Sequence, residues 1–313
     1  MHARVMTALA ALILSTGVAS ADDSETTLHA AIAPNGDEIR LVTMIGGKSA
    51  AATLQVGKAA ATKLEVGDTV GAVEVAHGIM VAALSITDEK QPFRIYVGDK
   101  VTKLTRPAKR YDLPFAMAMA STPSGFTVFF QEIEPANTNE AHTYMVKLDK
   151  AGKPDGEPKE IAVPWWLGDA AWNGKGYHLA LYYAGEQQGA RLSMVSITEA
   201  GSPEQHPDWA SAPGQLSDMN LVADGNKILA YYRGGVGDRM HVTDVTTIGQ
   251  WGGNAKAGKD LGALAADTAI AINAKGQPVR VKAAPVTKPK VEAKPKAAPK
   301  PKAKADAKKT KAK

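Results

Sequence analysis

Six segments of this 313-residue chain repeat one design. An apolar strand runs into a turn closed by glycine, and a second apolar strand follows. The clearest copies are AMASTPSGFTVFF (118–130), DAAWNGKGYHLALYY (169–183) and DMNLVADGNKILAYY (218–232). Fainter copies are HAAIAPNGDEIRLVTM (29–44), GAVEVAHGIMVAALSI (71–86) and TAIAINAKGQPVRV (268–281). The turn glycines Gly36, Gly78, Gly125, Gly176, Gly225 and Gly276 stand 42, 47, 51, 49 and 51 residues apart. Asn-Gly, Asp-Gly and Ser-Gly at such tips suit tight hairpins that need positive φ.

The later halves repeat as well. TYMVKLDKAGKPDGEPKEI (143–161) and ARLSMVSITEAGSPEQH (190–206) place a third strand before a polar turn, with Gly152 and Gly201 again 49 apart. A shorter fourth strand follows, as in EIAVPWW. Four strands in roughly 40–50 residues is the spacing of a β-propeller blade. Adjacent aromatics support this: Phe129–Phe130, Tyr182–Tyr183 and Tyr231–Tyr232 point to opposite faces of their strands. Burying both rings of a pair requires a sheet covered on both faces, as stacked blades provide. A half-exposed sandwich sheet would alternate apolar with polar positions instead.

The chain is therefore expected to be all-β, a propeller of five to six four-stranded blades. Six hairpins favour six blades, but one strand alone follows Gln277, so the last blade is expected to be incomplete. Tandem β-sandwiches are the alternative. The pattern W-N-G-x-G-Y-x-L-A-L-Y-Y, with a strand and T-E-A-G beyond it, resembles the degenerate blades of exported bacterial β-propellers. That resemblance implies a fold and no particular activity. The Trp-Asp dipeptide of WD40 repeats is missing, and Pro123 stands where a sialidase-type aspartate box would carry its aspartate.

The ends differ in kind from this body. Residues 1–21 read as a signal peptide: Arg4, an apolar stretch from Val5 to Val18, then Ala19-Ser20-Ala21 before Asp22. The apolar part is shorter than the roughly 20 residues that span a membrane. Export to the periplasm or beyond is expected, with no transmembrane span after cleavage. The chain has no cysteine, which removes disulfides, thiolate metal sites and a thiol nucleophile. A body of residues 22–281 is large enough to bury a core without them.

Residues 282–313 form a Lys/Ala/Pro-rich tail with twelve lysines against Glu292 and Asp306, a net +10. The whole chain is +5; without the tail and Arg4 of the leader, the body is left at −6. Such a composition cannot bury enough apolar area to offset chain entropy, so disorder is expected. Lys288, Lys290, Lys294, Lys296, Lys300, Lys302, Lys304, Lys308 and Lys309 are the candidate polyanion-binding residues. Their attraction to anionic polymers acts through counterion release and depends on salt. Export makes lipopolysaccharide, acidic glycan or anionic lipid the candidate partners, and the tail could also fold back on the acidic body. A protein partner is a further candidate, and the chain is read as a monomer.

In a propeller the first strand of each blade lines the central channel. Counting seven residues back from each turn glycine brings His29, Asp169 and Asp218 toward one channel mouth, with Asp267 nearby. Grouped carboxylates are candidates for Ca²⁺ or, with a histidine, for acid–base work; solvated strand-start residues are the simpler reading, with no cofactor. Trp165 and Trp166, at a fourth-to-first-strand junction, are candidates for an exposed aromatic surface. IGGKSA (45–50) lacks the first glycine of a phosphate loop, and GGVGDR (234–239) opens no helix. No H-E-x-x-H, G-x-S-x-G or S-x-x-K constellation occurs. His178 and His241 read as structural histidines. The reading is thus an exported, non-enzymatic binding or scaffold propeller whose tail contacts anionic envelope polymers. A propeller hydrolase or lyase acting on glycans or lactones is the alternative.

Overall fold

The computed structural model describes residues 25–45, 51–66, 69–86, 92–105, 113–134, 137–163, 166–185, 189–202, 208–211, 217–225, 227–234, 238–245 and 258–283. The expected signal peptide and the part of the expected tail from Ala284 lie outside these residues, as do Trp165 and the side chains of Tyr182 and Tyr183. All described elements are strands or turns, so none of them is a helix that could cross a membrane.

Blade 1 holds β1 (Glu25–Ile32), β2 (Glu38–Ile45), β3 (Ala51–Val56) and β4 (Thr62–Val66). Blade 2 holds β5 (Thr69–Ala76), β6 (Ile79–Ile86), β7 (Phe93–Val97) and β8 (Lys100–Leu104). Blade 3 holds β9 (Leu113–Thr122), β10 (Gly125–Glu134), β11 (Asn137–Asp149) and β12 (Lys159–Ile161). Blade 4 holds β13 (Trp166–Trp172), β14 (Tyr177–Gly185), β15 (Gly189–Ile197) and β16 (Asp208–Ser211). Blade 5 holds β17 (Ser217–Asp224), β18 (Lys227–Gly234), β19 (Arg239–Asp244) and β20 (Lys259–Ala263). A two-stranded sheet, β21 (Thr268–Ile272) and β22 (Pro278–Lys282), completes the series.

Every neighbouring pair within a sheet is antiparallel and consecutive in the chain. The first strands β1, β5, β9, β13, β17 and β21 each pack against the next, and β21 also packs against β1. The result is a β-propeller of five four-stranded blades closed by a hairpin. The expected incomplete last blade is that hairpin.

The core lies between blades. In β6, Val81 and Ala83 pack toward blade 3, while the alternate residues Ala82 and Leu84 pack toward blade 1. Phe130 joins the cluster between blades 2 and 3, and its neighbour Phe129 the one between blades 3 and 4. Tyr231 and Tyr232 divide in the same way between the closing hairpin and blade 4. All four rings are buried. Each such ring contributes about 1.5–3 kcal/mol by leaving water. This double coverage explains the aromatic pairs.

The turns correct one detail. In the fourth hairpin positive φ falls on Gly174, at 94°, and not on Gly176. The reason is Asn173, whose Oδ1 accepts from the N–H groups of Lys175 and Gly176 at 3.0 and 3.1 Å and sets the turn early. Gly152 and Gly201, the third-strand turn glycines, each seat on the preceding blade. A Cβ on Gly152 would lie 2.4 Å from Val97 Cγ2, and one on Gly201 2.9 Å from Ile161 Cγ2.

Candidate functional site

Two cavities lie along the inner strands. One, of about 260 Å³, is lined by residues that include His29, Glu74, Met117, Trp166, Asp169 and Asp218. The other, of about 280 Å³, is lined toward the hairpin turns by residues that include Ser121, Trp172 and Asn273. Glu74, Ala31, Ala170, Leu221 and Ile272 border both. Three of the four channel candidates therefore line one cavity. Asp267 does not line it; its carboxylate pairs with Lys282 Nζ at 3.2 Å and accepts from Thr268 Oγ1 at 3.3 Å. Trp166 lines the same cavity.

The acids are held by local geometry. A bulge falls between Leu167 and Asp169 in β13, and another between Ser217 and Asn220 in β17. Asp218 sits in the second with φ of 54°, a left-handed conformation that Asp tolerates better than most residues. Asp169 Oδ2 accepts the backbone N–H of Leu221 in the next blade at 2.6 Å. Asp218 accepts the backbone N–H of Ile270 in the closing hairpin. Each target lies 52 residues beyond its aspartate. The two acids are thus repeat-equivalent clamps between successive inner strands. Gln131 clamps one blade earlier, accepting from Leu167 N at 2.5 Å.

Burial dominates the titration of these groups. It pushes Asp169 up to about 8, with the nearby Glu74 charge adding to the rise and the N–H groups of Leu221 and Ala170 opposing it. It pushes Glu74 up to about 7, opposed by the Val75 N–H. Asp218 also rises to about 7, although Arg233 pulls the other way. His29 falls to about 4 for the same reason and is neutral at pH 7; its Nε2 pairs with Thr43 Oγ1 at 3.2 Å.

Arg233 explains how Asp218 is tolerated. Its buried guanidinium meets Asp218 Oδ2 at 3.4 Å and donates to the carbonyls of Leu264, Ala265 and Thr268 at 3.1, 3.1 and 2.5 Å. It welds blade 5 to the closing hairpin. Among the described residues, no group of three His, Asp or Glu side chains is gathered closely enough to hold a metal ion. His178 is structural: Asn173 Nδ2 donates to its Nε2 at 2.7 Å and its Nδ1 meets Ser196 Oγ at 3.1 Å. His241 stacks on Tyr232 with ring centroids 5.5 Å apart.

Counting back from glycines missed Glu74 and Arg233. Glu74 left a signal, as the one charged residue in TVGAVEVA. The count gave Gly71 in that blade, where a Cβ would lie 2.7 Å from Leu84 Cδ2 and 2.9 Å from Leu41 Cδ2. No side chain fits there.

No family model matches the chain, and no curated protein matches it. Among solved structures it is similar to an α-L-arabinofuranosidase from Lactobacillus brevis, at 10% identity over 80% of this chain and 92% of that one, TM-score 0.42. It is similar to a Penicillium chrysogenum α-L-arabinanase complexed with arabinobiose, at 10% identity over 75% and 80%, TM-score 0.45. An oligogalacturonate lyase in complex with manganese gives 10% identity over 82% and 78%, TM-score 0.43. At these values the likeness says nothing of the chain's chemistry.

Proposed function

We infer that the protein is an exported, non-enzymatic propeller that binds or scaffolds, held to an anionic envelope polymer by its cationic tail. The observation that carries this reading is the use made of Asp169 and Asp218. Both accept the N–H of the inner strand next in the ring, so the best catalytic candidates are occupied in holding blades together. The contrast between a tail of +10 and a body of −6 supplies the tether. The test removes residues 284–313 and compares retention of the two mature proteins on a lipopolysaccharide-coated matrix across a salt series. The full chain is expected to stay bound to higher salt, with a steeper salt dependence. Equal retention of the truncated protein at low salt defeats the tether.

One observation favours the hydrolase or lyase reading on glycans or lactones. Glu74 lies close enough to Asp169 for its charge to be felt there, and both carboxyls are pushed near neutrality, as acid–base work requires. Turnover of a glycan or lactone that disappears in both Glu74→Gln and Asp169→Asn establishes that reading. Its calcium-dependent form further needs calcium to raise the melting temperature.

A further inference from the structure

The central channel is lined by carboxyls, and several of its inward donors are already engaged. Its inward N–H groups at Leu221 and Ile270 are covered by Asp169 and Asp218, and Val75 N donates to Glu74 Oε1 at 3.0 Å. Arg233 lies outside the cavity wall and is spent on Asp218 and three carbonyls. Glu74 Oε2 has no hydrogen bond among the described residues, and Glu74 is the carboxylate that both cavities share. His29 carries no charge at neutral pH. The nearer wall also includes Leu28, Met117, Met119, Leu167 and Trp166, beside the polar Thr27, Thr43 and Asn220. A group that brings its own hydrogens and positive charge to Glu74, joined to a short apolar body, suits this space.

We propose that the channel is a binding site for a small organic cation, an alkylammonium or alkylguanidinium whose charged head meets Glu74 at the waist between the two cavities. Its alkyl part lies against the methionines and Trp166, whose face is the best aromatic partner for a cation. Among the described residues no three acids or histidines gather as a metal ion would need, which suits a ligand with a body better. A cavity of about 260 Å³ is smaller than the roughly 300–1,000 Å³ of drug-sized sites, so the ligand is small. This site is separate from the tail and does not depend on the tether.

The experiment is isothermal titration of the mature full-length protein with 1,4-diaminobutane, against 1,4-butanediol as the uncharged isostere, at constant ionic strength. Saturable binding of the diamine at one site, with no heat from the diol, is the expected result. Glu74→Gln is expected to weaken the diamine at least tenfold while leaving the circular dichroism spectrum intact. Equal response to diol and diamine in the wild type overturns the proposal, as does the absence of saturable diamine binding. Diamine binding unchanged in Glu74→Gln also overturns it, since that is what general attraction to an acidic body would give. Should the variant not fold, the wild-type comparison of diamine with diol still decides.

Discussion

Replacing Asp169 by asparagine keeps an acceptor for Leu221 N and removes the ionisation. Burial moves this carboxyl from 3.8 to about 8, so the folded protein holds its proton more tightly than the unfolded chain does. Stability from this group is therefore complete below about pH 4 and is lost as pH rises toward 8. At about 1.4 kcal/mol per tenfold, the full shift would amount to roughly 6 kcal/mol. The side chain is only half-buried beside the cavity, so about half of this, ~2–3 kcal/mol, is the better figure. For a domain of this size each kcal/mol moves the melting temperature by about 2–4 °C. Asp169→Asn is thus expected to melt with the wild type near pH 4 and about 5–10 °C above it at pH 8.5. Calorimetry or fluorescence melts across that range measure the difference directly, and contributions shared by both proteins cancel. An offset that is the same at both ends of the range would refute the burial argument. A variant less stable than the wild type at pH 8.5 would refute it more strongly, by showing that the charge strengthens the clamp.

Three other outcomes are expected. Gly71→Ala forces a methyl group against Leu84 and Leu41 and should lower stability by about 1–3 kcal/mol in urea titration; an unchanged midpoint would show that the two blades yield. Asp218→Ala removes the nearest carboxylate from the buried Arg233 guanidinium, a loss of about 3–5 kcal/mol, and Asp218→Asn, which tolerates the same φ but also lacks the charge, should lose most of that; an Asn variant as stable as the wild type would deny Arg233 its role. Burial holds His29 near 4, against 6.5 when unfolded, so it contributes stability above pH 6.5 that disappears as pH falls to 4. His29→Gln should flatten that part of the stability profile, and an unaltered slope counts against it.

The ring was legible because each hairpin writes the same local chemistry: a turn glycine, an apolar strand and paired aromatics. Its incompleteness was legible too, since one strand alone follows Gln277 before lysine, alanine and proline take over. The channel was harder. Levels along it were counted from turn glycines, but hairpin loops differ in length. Four residues separate the paired Trp172 and Tyr177, and two separate Asp224 and Lys227. Asp169 and Asp218 stay equivalent even so, each reaching the N–H 52 residues on, while the count gives Gly71 where Glu74 lines the cavity. Bulges shift the inner strands again, by an amount that no pattern of apolar residues records. Arg233 reads in sequence as the polar end of a strand. The β17–β18 pairing sets it beside Asp218, and only the ring brings it against the Thr268 carbonyl of the closing hairpin.

Arg40 Nε donates to the carbonyl of Lys282, 242 residues away, and so fastens the first sheet to the last strand. A loop of that length carries the largest closure entropy in the molecule. The seam it closes is flanked by the smallest sheet. The molecule is built like a split washer: parting it at this gap leaves all five large leaves stacked on one another.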